Sequence, residues 1–327
     1  MMGGDYGPEV TVKGLNYAFK KLENVHANLF GNEKKIRDVL DKYPYLSDKV
    51  SIFHTDNFVP MDAKPTDAVR RIGKDSSMWM SIDSCKNRKS DVVLSAGNTG
   101  ALMALSKLIL KTVDGIERPA ITALWPNTEG ESVVLDLGAN IDVSSNQLVQ
   151  FGIMGYSYAV CVLKKSHPKI AILNIGHEEF KGSNELQEAF ERLSAIFKDK
   201  FIGFVEGDDL SKGTADVIIT DGFTGNVALK TAEGIAKLIG FYLSDSLKSN
   251  ISGKLGMFIA QNSLKSFKKK IDPRANNGGF FLGLNGLVVK SHGGSDFIGF
   301  ANAIIFSINL ARSNLSKKII DLIEENI

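Results

Sequence analysis

Two glycine turns carry the side chains best suited to hold an anion. They are Ser95-Ala96-Gly97-Asn98-Thr99-Gly100 and Asp221-Gly222-Phe223-Thr224-Gly225-Asn226. In each, a short apolar run passes through glycine into a helical pattern. Such a turn offers backbone N–H groups at the positive end of the helix dipole. Ser95, Asn98, Thr99, Thr224 and Asn226 add polar side chains. Gly97, Gly100, Gly222 and Gly225 leave the backbone open to a ligand. Two such turns in one chain point to a phosphate-bearing ligand, although each can equally be only a tight connection. A third turn, Gly176-His177-Glu178-Glu179-Phe180-Lys181-Gly182, presents an acid pair and Lys181. Lys181 there either holds an oxyanion or phosphate or belongs to a solvated charged loop. Asp221 either serves the ligand or caps its own turn, the usual task of aspartate at such a place. His292, between Ser291 and Gly293, either donates to a ligand or is structural.

The elements that position these turns follow from the apolar runs. Residues 91–95, 132–137, 169–174, 216–220 and 286–290 have strand length, and each ends at a glycine turn. Helical patterns follow at 101–110 and 227–247. Short buried strands alternating with helices predict an α/β fold, a three-layer α/β/α sandwich on a mainly parallel sheet. Ligands in such sheets bind beyond the carboxyl ends of the strands, where the glycine turns fall. No repeat or linker divides the chain, so residues 1–327 read as one unit.

Composition narrows the function. Lysine plus arginine is 39 and aspartate plus glutamate 37, a net charge of +2, which argues against a dedicated nucleic-acid binder. Cys85 and Cys161 are too few for a disulfide framework, and with five scattered histidines and no HExxH a zinc or other metal site is not expected. The cysteine usage and the absence of a signal-like start predict a cytoplasmic protein. Residues 143–163 lack charge and are long enough to cross a bilayer. Ser144, Ser145, Asn146, Gln147 and Gln150 within them predict a turn and a buried helix instead. GxGxxG, the P-loop and GxSxG are all absent, which lowers the weight of NAD enzymes, kinases and serine hydrolases.

Residues 244–277 read as a lysine-rich helical arm embedded in this unit. Met257, Ala260, Leu264, Phe267 and Ile271 recur at helical spacing, with Lys254, Lys265, Lys268, Lys269 and Lys270 mostly off that stripe. The stripe packs on the core or a partner subunit, or the arm lies on an anionic membrane surface.

The motifs also resemble a family as a set. Met2-Gly3-Gly4-Asp5 with Gly7-Pro8, residues 95–101, Arg118-Pro119-Ala120 and Leu135-Asp136-Leu137-Gly138-Ala139-Asn140 open the series. Residues 178–186, residues 215–226 and Leu229-Lys230-Thr231 with Glu233-Gly234 continue it. Gly283-Leu284 and Ser291-His292-Gly293 with Ser295-Asp296 complete it. In this order they closely resemble the bacterial phosphate acyltransferase family, the acyl-acyl-carrier-protein:phosphate acyltransferases. The resemblance implies a fold like that of phosphate acetyltransferase and the isocitrate/isopropylmalate dehydrogenase group, with a cleft between two lobes in a homodimer. It implies attack of inorganic phosphate on the thioester of an acyl-acyl-carrier protein, giving acyl phosphate for phospholipid synthesis without a cofactor. A membrane-bound acyltransferase that acylates glycerol 3-phosphate would consume the product, which favours peripheral contact with the inner face of the plasma membrane. It further implies a first strand ending in Asp-Ala ahead of Met2-Gly3-Gly4-Asp5. If that strand belongs in the sheet, its neighbours here lack backbone partners.

This chemistry needs an anion cradle and charge stabilisation, not an acyl-enzyme. On this reading the 95–100 and 221–226 turns hold phosphate. Lys181 stabilises the oxyanion or positions phosphate, Asp221 orients one of them, and Asn140 and His292 contribute. The alternatives are a coenzyme A-dependent phosphate acetyl- or butyryltransferase and a non-enzymatic, membrane-associated phosphate-binding protein. A metal- and NAD-dependent dehydrogenase is disfavoured, because no aspartate follows Asp221 before Asp245.

Overall fold

The computed structural model describes residues 1–71, 73–271, 278–312 and 315–326. Strands β1 (Ala27–Gly31) and β2 (Val50–His54) form a parallel pair. Eight further strands form one sheet: β3 (Val92–Ser95), β4 (Ala120–Asn127), β5 (Gly130–Leu135), β6 (Ile170–Leu173), β7 (Phe201–Val205), β8 (Val217–Ile219), β9 (Gly279–Leu282) and β10 (Leu287–Lys290). Their spatial order is β3-β10-β9-β4-β5-β8-β6-β7. Four of the seven pairings are parallel, namely β3–β10, β5–β8, β8–β6 and β6–β7. The strands read from sequence are all present, and β4 and β9 lie between them as antiparallel neighbours.

Those antiparallel pairings reverse the direction of the sheet. The parallel pair β3–β10 runs opposite to the parallel group β5, β8, β6 and β7. The single rim of carboxyl ends expected from sequence is therefore two rims. Residues 95–100 and 291–294 leave one, while residues 136–140, 174–182 and 220–226 leave the other.

Alternation along the strands builds a core on each face. Val133 and Leu135 of β5 pack with Phe151, Met154, Tyr158, Leu193 and Ile323. Val134 between them packs with Ile82, Leu102 and Leu105. The helices Ser145–Tyr158 and Asn184–Phe197 thus cover one face, and Ser77–Lys86 and Thr99–Leu110 the other. Each fully buried leucine, isoleucine or phenylalanine contributes about 1.5–3 kcal/mol of transfer free energy. The uncharged 143–163 stretch is the buried Ser145–Tyr158 helix, opened by a Ser144–Gln147 capping box. Among the described residues, no helix is long and apolar enough to cross a membrane.

The arm differs from the stripe expected for it. The helices Ile251–Ile259 and Gln261–Ile271 are separated at Ala260, which leaves the helical backbone region. Met257 and the 264–271 positions therefore lie on different helices. Side chains 268–271 and residues 272–277 lie outside the described residues. The clearest apolar face belongs instead to Ile251, Leu255, Phe258 and Ile259, all exposed.

Among the described residues, the outer edges of β1 and β3 have no strand partner. Between them lies a cavity of about 690 Å³. Its walls include Ala27, Leu29 and Phe30 from one strand and Val92 and Leu94 from the other. The Met1 amine stands at its end and donates to Phe30 O at 3.1 Å, as the N–H of a parallel strand would. Extending the amino end of Met1 by five apolar strand-forming residues is expected to raise the melting temperature by roughly 5 °C or more. A glycine-serine extension of equal length, measured by the same thermal melts, is expected to leave it unchanged.

Candidate functional site

The rim formed by β5, β8 and β6 is organised by a buried carboxylate. Asp136 follows β5 and is fully buried. Its Oδ1 accepts from the N–H groups of Ile121 at 2.9 Å, Gly138 at 3.2 Å and Ala139 at 3.0 Å. Its Oδ2 accepts from Asn140 N–H at 2.6 Å and Asn140 Nδ2 at 2.9 Å. Burial outweighs these donors and pushes the pKa up to about 6. The group is still mostly ionised at neutral pH.

The 136–140 turn then seats the long helix Gly222–Lys248. Gly222 N–H donates to Asn140 O at 2.7 Å. A Cβ at Gly225 would lie 2.0 Å from Asp136 O, and one at Gly222 2.5 Å from Asn140 O. Glycine is therefore required there by backbone contact. Asn140 is buried, with its amide also donating to Pro119 O at 2.9 Å, so it braces the turn.

Asp221 caps this helix. Its carboxylate accepts from Thr224 N at 2.8 Å and Thr224 Oγ1 at 2.7 Å. Gly225 N–H donates to Asp221 O. The helix start thus already holds an anion of its own, and the helix begins at Gly222 instead of residue 227. Lys181 sits on the turn after β6, the strand beside β8. Its Nζ pairs with Glu178 at 3.0 Å and not with Asp221. Around these turns Ile141, Ile175, Phe180, Phe223 and Val227 are exposed. Asn226 lies against Gly138 and faces solvent.

The other rim is built differently. Asn98 caps the Thr99–Leu110 helix through Ala101 N–H at 2.9 Å and donates to Met61 O and Ala63 O at 2.7 and 2.9 Å. Ser95 Oγ accepts from Gly97 N–H at 3.1 Å. The N–H groups of Thr99 and Gly100 have no protein acceptor among the described residues. This start, unlike the one at Asp221, leaves donors for an outside anion. Gly97 packs against the Gly3 backbone, and Asp5 N–H donates to Gly293 O at 3.0 Å, which ties the amino-terminal turn into the rim.

The long helix spans the two rims. Its Lys230 and Glu233 pair at 3.1 Å, and Glu233 meets His292 Nε2 at 2.9 Å. His292 first, with Lys230 also contributing, holds the Glu233 pKa down to about 2. Helical rise places Lys230 about 13 Å from Asp221 along the axis. The structure therefore gathers Lys181, Asn140, Asp221, Gly222, Thr224, Gly225 and Asn226 on one rim. It gathers Ser95, Gly97, Asn98, Thr99, Gly100 and His292 on the other. Among the described residues no hydrogen bond joins the 95–100 turn to the 221–226 turn. Sequence reading gave no role to Asp136, Lys230, Glu233 and Lys290. A charged residue inside or closing an apolar run was the available signal for Asp136 and Lys290. No trio of His, Cys, Asp and Glu among the described residues is placed to hold a metal ion.

Replacing Asp136 by asparagine sets an amide against N–H donors that need an acceptor. Asp136→Asn is expected to destabilise the fold by about 2–3 kcal/mol, a fall of roughly 3–5 °C in thermal melts.

The fatty acid synthesis protein family matches residues 1–318. A phosphate acyltransferase from Parvibaculum lavamentivorans is 48% identical over 98% of this chain and 89% of its own length. One from Rhodospirillum rubrum is 48% identical over 98% of this chain and 92% of its own length. Among solved structures, a phosphotransacetylase from Streptococcus pyogenes superposes with a TM-score of 0.61 at 18% identity, covering 93% of this chain and 92% of that one. A 4-hydroxythreonine-4-phosphate dehydrogenase from Klebsiella pneumoniae gives 0.52 at 13% identity, covering 95% and 96%. These two similarities extend to the α/β fold, as expected from sequence. On its near full-length identity to the named relatives, the chain belongs to the fatty acid synthesis protein family, among the phosphate acyltransferases.

Proposed function

We propose that the chain transfers a fatty acyl group from the thioester of an acyl-carrier protein to inorganic phosphate. A phosphate oxygen attacks the thioester carbonyl carbon. The tetrahedral intermediate then releases the carrier's thiolate, which takes up a proton, and acyl phosphate leaves. The observation that supports this most directly is the pairing of polar turns with exposed apolar groups on one rim. Lys181 and the capped start at Asp221 stand among Ile141, Ile175, Phe180, Phe223 and Val227. A polar reacting end and a greasy acyl chain need that combination. Lys181, released from Glu178, would stabilise the carbonyl oxygen as it becomes an oxyanion. Asp221 would keep the helix start fixed while the neighbouring Thr224 and Asn226 meet substrate. Phosphate would sit at the 95–100 turn, whose helix start has donors to offer.

The outer helices suit two partners in this reading. Ile251, Leu255, Phe258 and Ile259, with Lys254 nearby, would rest on an anionic membrane from the cytoplasmic side. Ile235, Leu238, Phe241 and Tyr242, exposed along the long helix, would meet a second copy in a homodimer. A lipophilic acyl phosphate formed there could pass to a membrane-bound acyltransferase.

Purified protein is expected to release free thiol from palmitoyl-acyl-carrier protein only when phosphate is present, with palmitoyl-coenzyme A a poorer donor. Lys181→Ala is expected to cut that turnover by about ten-fold or more with an unchanged melt. Preference for the coenzyme A thioester would replace the carrier by coenzyme A as donor. The protein is also expected to float with anionic vesicles at low salt, and Phe258→Glu to abolish flotation without loss of turnover in solution.

A further inference from the structure

Lys290 is a charged group near the site that the reading above leaves unused. It closes β10 in parallel register with Ser95, the residue that opens the 95–100 turn. Ser291 N–H donates to Ser95 O at 2.9 Å, so the two strand ends stay joined. Lys290 is half-buried, and its ammonium donates to the Ser291 carbonyl. Among the described residues no carboxylate pairs with it.

The carboxylates nearest to it are not paired with it. Asp5 approaches from the amino-terminal turn, and its carboxylate lies beside Gly293 and Gly294. Lys230 approaches from the long helix and repels it. Glu233, on that helix, is shared between Lys230 at 3.1 Å and His292 at 2.9 Å. Two ammonium groups and an imidazole thus stand with two carboxylates. A partly buried cation with no carboxylate in direct contact is costly, and an arriving anion reduces that cost.

We propose that Lys290 binds the phosphate ion that attacks the thioester, through an oxygen that does not react. The ion then lies at the turn where Thr99 and Gly100 N–H groups are available, and charge-assisted hydrogen bonds hold it. The proposal rests on acyl transfer to phosphate as the reaction and adds the residue that takes the ion. The phosphoryl group of the product has the same chemistry and would use the same contact. Burial first, and then Lys230, lower the Lys290 pKa to about 8, while Asp5 opposes the shift. Phosphate affinity is therefore present below that pH and lost above it, because only the ammonium attracts the ion.

The test is calorimetric titration with inorganic phosphate at about pH 7.5 and about pH 9.5, beside steady-state thiol release. Wild-type protein is expected to bind phosphate roughly ten-fold or more weakly at the higher pH. Lys290→Gln is expected to raise the KM for phosphate about ten-fold while leaving the KM for the acyl donor within about two-fold. Lys290→Arg is expected to keep binding and to abolish the loss at high pH, because its guanidinium stays charged. A Lys290→Gln protein that melts normally and keeps the wild-type phosphate KM overturns the proposal. If that variant does not fold, an undiminished high-pH loss in Lys290→Arg overturns it instead. Thiol release that needs phosphate but ignores both substitutions removes Lys290 alone. Thiol release or hydrolysis without any need for phosphate removes the acyltransferase reading, and Lys290 with it.

Discussion

The Asp136 carboxylate is the contact on which the candidate site depends. Five N–H donors converge on it from Ile121, Gly138, Ala139 and Asn140. They fold the chain after β5 into a seat for the helix that follows β8. Without that seat, Gly222 and Gly225 have no surface to pack against, and the Asp221 cap has no fixed position. A buried polar network of this kind is stabilising only when every member is satisfied. Here the turn, the glycines and the cap satisfy one another, with the buried Asn140 Oδ1 the exception that has no hydrogen-bond partner among the described residues.

The two helix starts look alike in sequence and differ in electrostatics. At Asp221 the helix's own carboxylate occupies the place an external anion would take, and Gly222 N–H is committed to Asn140. At Asn98 the cap is a neutral amide, and the first two N–H groups remain for a ligand. A neutral cap leaves the helix dipole uncompensated, whereas a carboxylate cap cancels much of it. The distinction rests on one residue type, aspartate against asparagine. On the proposed reading, it would divide the labour between a rim with donors for phosphate and a rim that fixes the acyl group.

Much of this was legible from residue order. The apolar runs ending in glycine are the strands β3, β5, β6, β8 and β10, and the polar residues within 143–163 mark a capped, buried helix. The reversal of the sheet was not legible, because β4 and β9 carry no signal of partner or direction. A strand's period of two says which residues are buried and not which neighbour it meets. The turns could be named, but their division between two rims could not. The helical stripe through Met257 and Phe267 was misleading for a related reason. Periodicity continues across Ala260, and the backbone does not. Lys290 was hidden because a lysine ending an apolar run looks like a strand reaching solvent, and its partial burial near Asp5 and Lys230 arises only in the folded chain.

The long helix has one further mechanical property. At 27 residues it is about 40 Å long. Its anchors, the Asp221 cap, the two buried glycines and the Glu233–His292 pair, all lie in its first half. Beyond them, within a single chain, it projects as a beam clamped at one end, carrying the outer helices at its tip. Deflection of such a beam grows steeply toward the free end, so its outer amides are held by far less free energy than those beside Gly225. Folding of the sheet and immobilisation of the tip are then separate events. Whatever surface the tip meets can be engaged over a range of angles while the groups at the clamp stay in place.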